Sequence, residues 1–478
     1  MPESLEGSGT FAYQRNEVDM EQKKAAEIQT SERTNREILK TVFQMAWPSV
    51  LESFFVALAG LIDSFMVSAL GSYAVAAVGL TTNPKFIGLA LFIATNVAVS
   101  ALVARRKGEQ DQYRANQVLV MALLFVAAAG IAISVLFVVF ADEIMRLSGS
   151  MPETHESAAL YFRIIMGGMI FNIISLTINA AQRGSGNTKK AMKTNVTSNV
   201  INMIFNYLLI GGNFGFPALG IKGAALATVL GTVVACTMSI ASLFRKNNFI
   251  NIYYIMENKV RPAMEAVRNM VKIASSIFLE QILLRIGFMS VAVMAAKLGT
   301  SAFAAHNVGM NIMSVSFSFG DGMQVAAVAL IGQSLGEGRP ELAKKYGAFC
   351  QRIGNAISVV LSLIYLLGGR ILYQWYFEEE EIIAMGVQIM QVMVIIVLLQ
   401  IAQVIYMGCL RGAGDVMFTT FASTVSVTVI RPVASYILCY ACGLGVVGIW
   451  LGTACDQLSR FLLTFFRFRS GKWTKIKI

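Results

Sequence analysis

The chain is short of charge. Only 14% of its 478 residues are Asp, Glu, Lys or Arg, against roughly 25% in an ordinary soluble domain. That leaves too little polar surface to cover a water-soluble globule of this length. Histidine is scarcer still. His155 and His306 are the whole complement, which excludes histidine-based metal centres and acid–base clusters. Among six cysteines, the lone C-x-x-C at Cys439 and Cys442 has no second pair and no nearby histidine, so these read as free apolar thiols. No stretch fits G-x-x-x-x-G-K-[ST], the loop that cradles ATP phosphates. No nucleophile–base constellation stands out, and an intramembrane enzyme would need one. Catalytic residues and cofactors are therefore not expected. Residues 1–40 are polar and of mixed charge without an apolar core, so no cleavable signal peptide is expected.

Apolar sequence is what remains. Hydrophobic residues make up 56% of the chain and the mean hydropathy is +0.62. The apolar runs reach the roughly 20 residues a membrane-spanning helix requires. In lipid the backbone must satisfy itself, so these runs are expected to be helices. Read against breakers, they give twelve spans near 42–69, 74–103, 115–140, 156–181, 190–211, 218–244, 266–296, 302–332, 342–367, 383–409, 416–441 and 445–468.

The net charge of +11 does not point to nucleic acid, because the basic residues sit in short loops between spans. "RRKGEQDQYR", "QRGSGNTKKAMK", the 245–262 connector, "GEGRPELAKK" and the final "RFRSGKWTKIKI" are basic. The loops between them, such as "ADEIMRLSGSMPETHE" and "YFEEEE", are neutral or acidic. Basic loops stay cytoplasmic, which predicts both termini inside a multi-pass protein of the plasma membrane.

A shift of 228 positions aligns the two halves. "LE" at 51–52 meets "LE" at 279–280, "LGSYAVAA" meets "LGTSAFAA", and "RGSGN" at 183–187 meets "RGAGD" at 411–415. An even number of spans per repeat makes the halves parallel. The expected fold is all-α, with twelve transmembrane helices in two parallel pseudo-symmetric six-helix lobes and the substrate site at their interface. In order, the chain reads as a polar cytoplasmic tail (1–40), an N-lobe of helices one to six (41–244), a cytoplasmic connector (245–262), a C-lobe of helices seven to twelve (263–470) and a basic tail (471–478).

Three acids break the apolar pattern. Glu52 and Asp63 lie eleven residues apart on the first span, which at about 100° per residue puts them on nearly one face, about 16 Å apart in height. The repeat places Glu280 on the seventh span at the level of Glu52, across a central cleft. A lone charge at the bilayer centre costs roughly 2.5–3.5 kcal/mol or more, so such residues mark ion or substrate paths. The alternative is silent pairing with a buried base such as Arg285, Arg431 or Lys85. On the fifth span Asn195, Asn199, Asn202 and Asn206 form one polar stripe, available either for ion coordination or for interhelical hydrogen bonds. The glycines of "RGSGN" and "RGAGD" read as tight turns, and Gly320 and Gly322 beside Asp321 as close packing or a joint.

Pro48 with "LIDSFMVSALG", the "GQSLGEG" turn at 332–338, "RGSGNTKKAMK", "NMIFNYLL…FPALGIKGAALAT", "FLEQILLRIG" and "RGAGD" together resemble the multidrug and toxic compound extrusion family. The resemblance runs from about residue 40 to 470. It implies a monomeric antiporter that exports lipophilic, mainly cationic compounds through the bilayer, driven by H+ or Na+. By position, it makes Asp63 the acid of the N-lobe coupling site, with Asn202 as partner and Thr228 as neighbour, and Glu280 the acid of a C-lobe cation site. Na+ would then sit at Asp63 with Asn202, or at Glu280. Two positions depart from the family's branches. Asn206 stands where proton-coupled members carry aspartate, and Gln400 stands where sodium-coupled members carry an acid, with Gln403 one turn on. The ion is therefore left open. Glu52, Asn199, Gln281, Arg285, Gln400 and Gln403 are expected to line the substrate cavity. A lipid-linked oligosaccharide flippase shares the architecture, and Arg285, Lys85 and Arg431 supply the cationic cavity it would need.

Overall fold

The computed structural model describes residues 34–476, which are helical throughout and contain no strand. The N-terminal half comprises α1 (Asn35–Ser68), α2 (Ser72–Gly108), α3 (Gln112–Val139), α4 in two segments (Pro152–Gly167 and Met169–Gly184), α5 (Thr188–Gly211) and α6 (Gly220–Leu243). A connector with one short helix, Ile252–Glu257, leads to α7 (Met264–Lys297), α8 (Thr300–Gly336), α9 (Pro340–Gln374), α10 (Glu380–Gly412), α11 (Val416–Ala441) and α12 (Gly445–Arg469). Among the described residues nine helices are long and apolar enough to cross a membrane, and α4 counts as a tenth when its segments are joined. Helices α5 and α12 have spanning length, 24 and 25 residues, but carry the asparagine stripe and Asp456 with Arg460 on buried faces.

Helix starts follow local chemistry. Thr34 and Glu37 form a capping box, the Thr34 N–H donating to the Glu37 carboxylate at 3.1 Å. Asp111 accepts from the Arg114 N–H at 2.9 Å to start α3. Because α1 begins at Asn35, residues 35–40 are helix rather than tail, and residues 1–33 lie outside the described ones. One feature no apolar run announced is the 45° bend of α4 at Gly168, where a Cβ would strike Val229 of α6.

The repeat is written into the turns. Gly71 and Gly299, 228 positions apart, open α2 and α8 with φ of +105° and +110°. Gly186 and Gly414, again 228 apart, follow α4 and α10 with φ of +93° and +88°. These are backbone conformations that favour glycine, so the turns read from "RGSGN" and "RGAGD" are present. Gly184 and Gly412 serve instead as close contacts, against Ser100 of α2 and Val328 of α8.

In lipid no hydrophobic force draws helices together, so close contact between small residues holds the lobes. Gly108 and Gly336, related by the repeat, meet each other. A Cβ on either would lie 2.8 Å from the other's Cα. Residues equivalent under a two-fold can touch only near its axis, so the pseudo-dyad runs through this contact. Around it Gly332 packs on Ala104, the Gln333 amide donates to the Gly184 carbonyl at 2.9 Å, and Gly322 lies against the backbone of Val50. Gly322 is thus a packing glycine inside a continuous helix, not a joint. The molecule is closed at the end carrying residues 105–109, 184–187 and 332–338. Toward the other end α1 and α7 present large exposed side chains, including Phe65 and Met289.

Candidate functional site

The three acids have three different surroundings. Asp63 faces the asparagine stripe of α5. Asn206 donates its amide to Asp63 Oδ1 at 2.6 Å. Asn202, turned so that both its polar atoms are satisfied, donates to the same carboxylate at 2.9 and 3.1 Å and accepts from the Thr228 N–H at 3.2 Å. Tyr161 of α4 lies beside the Thr228 side chain, and Lys85 of α2 lies within electrostatic reach of Asp63. A cavity of about 130 Å³ opens beside this group, lined by Lys85, Asn172, Thr228 and Thr232 together with residues at the α4 bend. The carbonyl oxygen of Asn206 is buried and has no partner. An orphaned acceptor next to a carboxylate suits a bound cation, since an unpaired buried oxygen is otherwise costly. Asp63, Asn202, Asn206 and Thr228 are therefore brought together.

Glu52 and Glu280 are each held by an arginine. Arg183 donates to Glu52 at 2.7 Å, and Asn195 donates to the same oxygen. Arg411 donates to both oxygens of Glu280 at 2.7 and 2.9 Å, with the Thr420 hydroxyl at 3.4 Å. The bases named from the sequence, Arg285, Arg431 and Lys85, are not these partners. Arg431 and Arg460 are both bound to Asp456 inside the C-lobe, at 2.7 and 2.8 Å. Arg285 stacks on Phe86 of the opposite lobe, 4.0 Å from the ring centre. The sequence hides the true partners, because "RGSGN" and "RGAGD" read as loop. Yet Arg183 and Arg411 are 228 positions apart, as Glu52 and Glu280 are, and that shared offset was the available signal. Tyr161 had no comparable signal.

The remaining residues separate. Asn199 sits on the stripe between the two acids, its amide nitrogen buried without a partner. Gln281 and Arg285 border a largely apolar cavity of about 160 Å³ between α2 and α7. Gln400 and Gln403 lie buried within the C-lobe rather than on an open cleft. Gln403 donates to Gln457 of α12 at 3.3 Å. At Glu280 the cation present is the Arg411 guanidinium, so a sodium ion there would first have to displace it.

The model of the MatE family matches this chain twice, over residues 48–208 and 276–437, two segments whose starts differ by the same 228 positions. A probable multidrug resistance protein NorM from Thermotoga maritima is 23% identical over 92% of this chain and 94% of its own length. A protein of the same description from Bradyrhizobium diazoefficiens is 27% identical over 85% and 88%. Among solved structures, one described as the outward-facing conformation of a multidrug resistance MATE family transporter superposes with a TM-score of 0.85. It is 22% identical and covers 91% of this chain and 97% of that one. The twice-matched family model, the two-lobe helical fold and these relatives together place the chain in the multidrug and toxic compound extrusion (MATE) family, as a multi-pass membrane transporter rather than an enzyme.

Proposed function

We propose that this transporter exports lipophilic, mainly cationic small molecules from the cell in exchange for H+ or Na+, its two lobes alternating access to a central cleft. The observation that carries the reading is the Asp63 group: a carboxylate held by two amides, with an orphaned Asn206 oxygen beside it and a cavity bordered by its neighbours Thr228 and Lys85. That set can take either a proton or a sodium ion, and its position inside one lobe lets ion occupancy bias how the lobes sit. Of the cations a pyrophosphate-bearing lipid would require, Arg431 is bound to Asp456 and Lys85 stands beside Asp63, which leaves Arg285, stacked on Phe86, alone at the lobe boundary and favours drug export over the flippase reading. The test is substrate-dependent ion release from loaded proteoliposomes under either a pH or a Na+ gradient. Ethidium-like cations are expected to trigger it. Release triggered only by a lipid-linked sugar would overturn the export reading.

We place the closed end, which carries the basic loops, in the cytoplasm, so that the cleft faces outward. Glu379, exposed at the start of α10, then faces outward. A cysteine placed there is expected to react with an impermeant thiol reagent in intact cells. Labelling only after lysis would invert the topology.

A further inference from the structure

Behind the closed end lies a cluster of five charges at the lobe boundary, Glu52, Arg183, Glu280, Arg411 and Asp321, of which the repeat accounts for four. Glu52 with Arg183 and Glu280 with Arg411 are the same pair written twice. The fifth is Asp321 of α8, whose repeat equivalent is Ile93. Asp321 accepts from the Ser53 hydroxyl of α1 at 3.2 Å, across the boundary between lobes. In its satisfied orientation Gln324 links Asp321 to Arg411, with its nitrogen 3.3 Å from Asp321 Oδ1 and its oxygen 3.1 Å from Arg411 Nη1. Arg183, Arg411 and Glu52 all lie within electrostatic reach of Asp321.

Three carboxylates against two guanidiniums leave one negative charge in excess. Arg183 and Asn195 both address Glu52 Oε1, while Glu52 Oε2 is buried with no partner, in a residue only 6% exposed. An uncompensated buried charge is costly, and two neighbouring carboxylates in such a place retain a proton or a cation between them.

We propose that Glu52 and Asp321 form a second cation site, across the lobe boundary, holding one proton or one sodium ion while this end is closed. The inference deepens the export reading and rests on it for its role in transport. Opening the end carries Glu52, Ser53 and Arg183 away with one lobe, and leaves Asp321, Gln324, Arg411 and Glu280 with the other. The excess negative charge then meets water, the cradle is lost, and the ion is released on the side that has opened.

Purified wild type, Asp63→Asn, Asp321→Asn and Glu52→Gln distinguish the possibilities. Sodium-free potentiometric titration between about pH 9 and pH 5 counts protons taken up, since a buried carboxylate can hold its proton up to about pH 8–9. Radioactive sodium binding counts Na+. Asp321→Asn is expected to lose one equivalent in one of the two assays, and Glu52→Gln is expected to lose the same one, so that the double variant loses no more than either. Asp63→Asn is expected to lose a different equivalent. Asp321→Asn and Glu52→Gln binding like wild type in both assays would overturn the site. Removal of every bound cation by Asp63→Asn alone would also overturn it, yet leave coupled export standing. Should Asp321→Asn fail to fold, Glu52→Gln reads the same equivalent from the opposite lobe.

Discussion

Asp63→Asn is expected to yield a folded, membrane-inserted transporter that no longer builds a substrate gradient from the membrane potential. Asparagine keeps the shape of aspartate, so the packing of α1 on α5 and α6 survives. It removes the charge on which Asn202 and Asn206 converge, and with it the means of holding H+ or Na+ in the N-lobe. The size of the effect follows from the driving force. One elementary charge moved down 100 mV releases about 2.3 kcal/mol, and at roughly 1.4 kcal/mol per decade this sustains an approximately forty-fold gradient. Exchange of one H+ for one monovalent cation is electrically silent, so the ion must outnumber the drug or carry its own concentration gradient. Asp63→Asn leaves at most the one ion held at Glu52 and Asp321, whose exchange for one monovalent cation is electrically silent, so with the membrane potential as the only driving force the ratio falls to about one. Steady-state substrate ratios in proteoliposomes, with substrate affinity measured separately, check this. Wild-type accumulation by the variant would move the coupling site away from Asp63, whereas loss of expression would make Asp63 a structural residue.

The overall fold was legible because lipid leaves little choice. Twelve apolar runs must be helices, and the observed spans fall within a few residues of the runs at most ends. Where the helices overshoot, as α9 does to Gln374, the excess is polar or interfacial sequence that hydropathy cannot assign. The bend at Gly168 has no mark in the apolar run, because what distinguishes the position is its close approach to Val229 of another helix rather than a local breaker. In α11 two π-helical stretches, Val425–Ile430 and Ile437–Ala441, lie on either side of Arg431–Tyr436. A proline at 432, which supplies no N–H to the ladder, and the Arg431–Asp456 bond together account for the irregularity.

The site was legible in its acids and not in their partners. Asp63, Asn202 and Asn206 could be grouped because helical periodicity puts α1 and α5 residues on definable faces. Arg183 and Arg411 sit at helix ends, where charge is ordinary, and only the tertiary fold carries them inward to Glu52 and Glu280. Asp321 was visible as an acid between two glycines, but its neighbours across the lobe boundary come from helices far away in sequence.

Those arginines also set a large expected effect on stability. Arg411→Ala leaves Glu280, 2% exposed, with only the Thr420 hydroxyl at 3.4 Å. Breaking a buried pair by removing one partner costs roughly 3–5 kcal/mol, because an uncompensated charge remains. Replacing both partners by neutral residues of similar shape costs far less. Glu280→Gln combined with Arg411→Gln is therefore expected to recover most of the melting temperature that Arg411→Ala loses, measured by thermal unfolding in detergent. The repeat supplies an internal comparison. Arg183→Ala exposes Glu52 to the same penalty, but Asn195 still donates to that carboxylate and Arg183 is the more accessible base, at 15% against 11% for Arg411. The N-lobe variant is thus expected to lose less than its C-lobe counterpart. A double variant as unstable as the single one would show that the arginines act through packing instead of charge. An Arg411→Ala protein with wild-type stability would mean that Glu280 carries another cation, returning the seventh helix to the coupling sites.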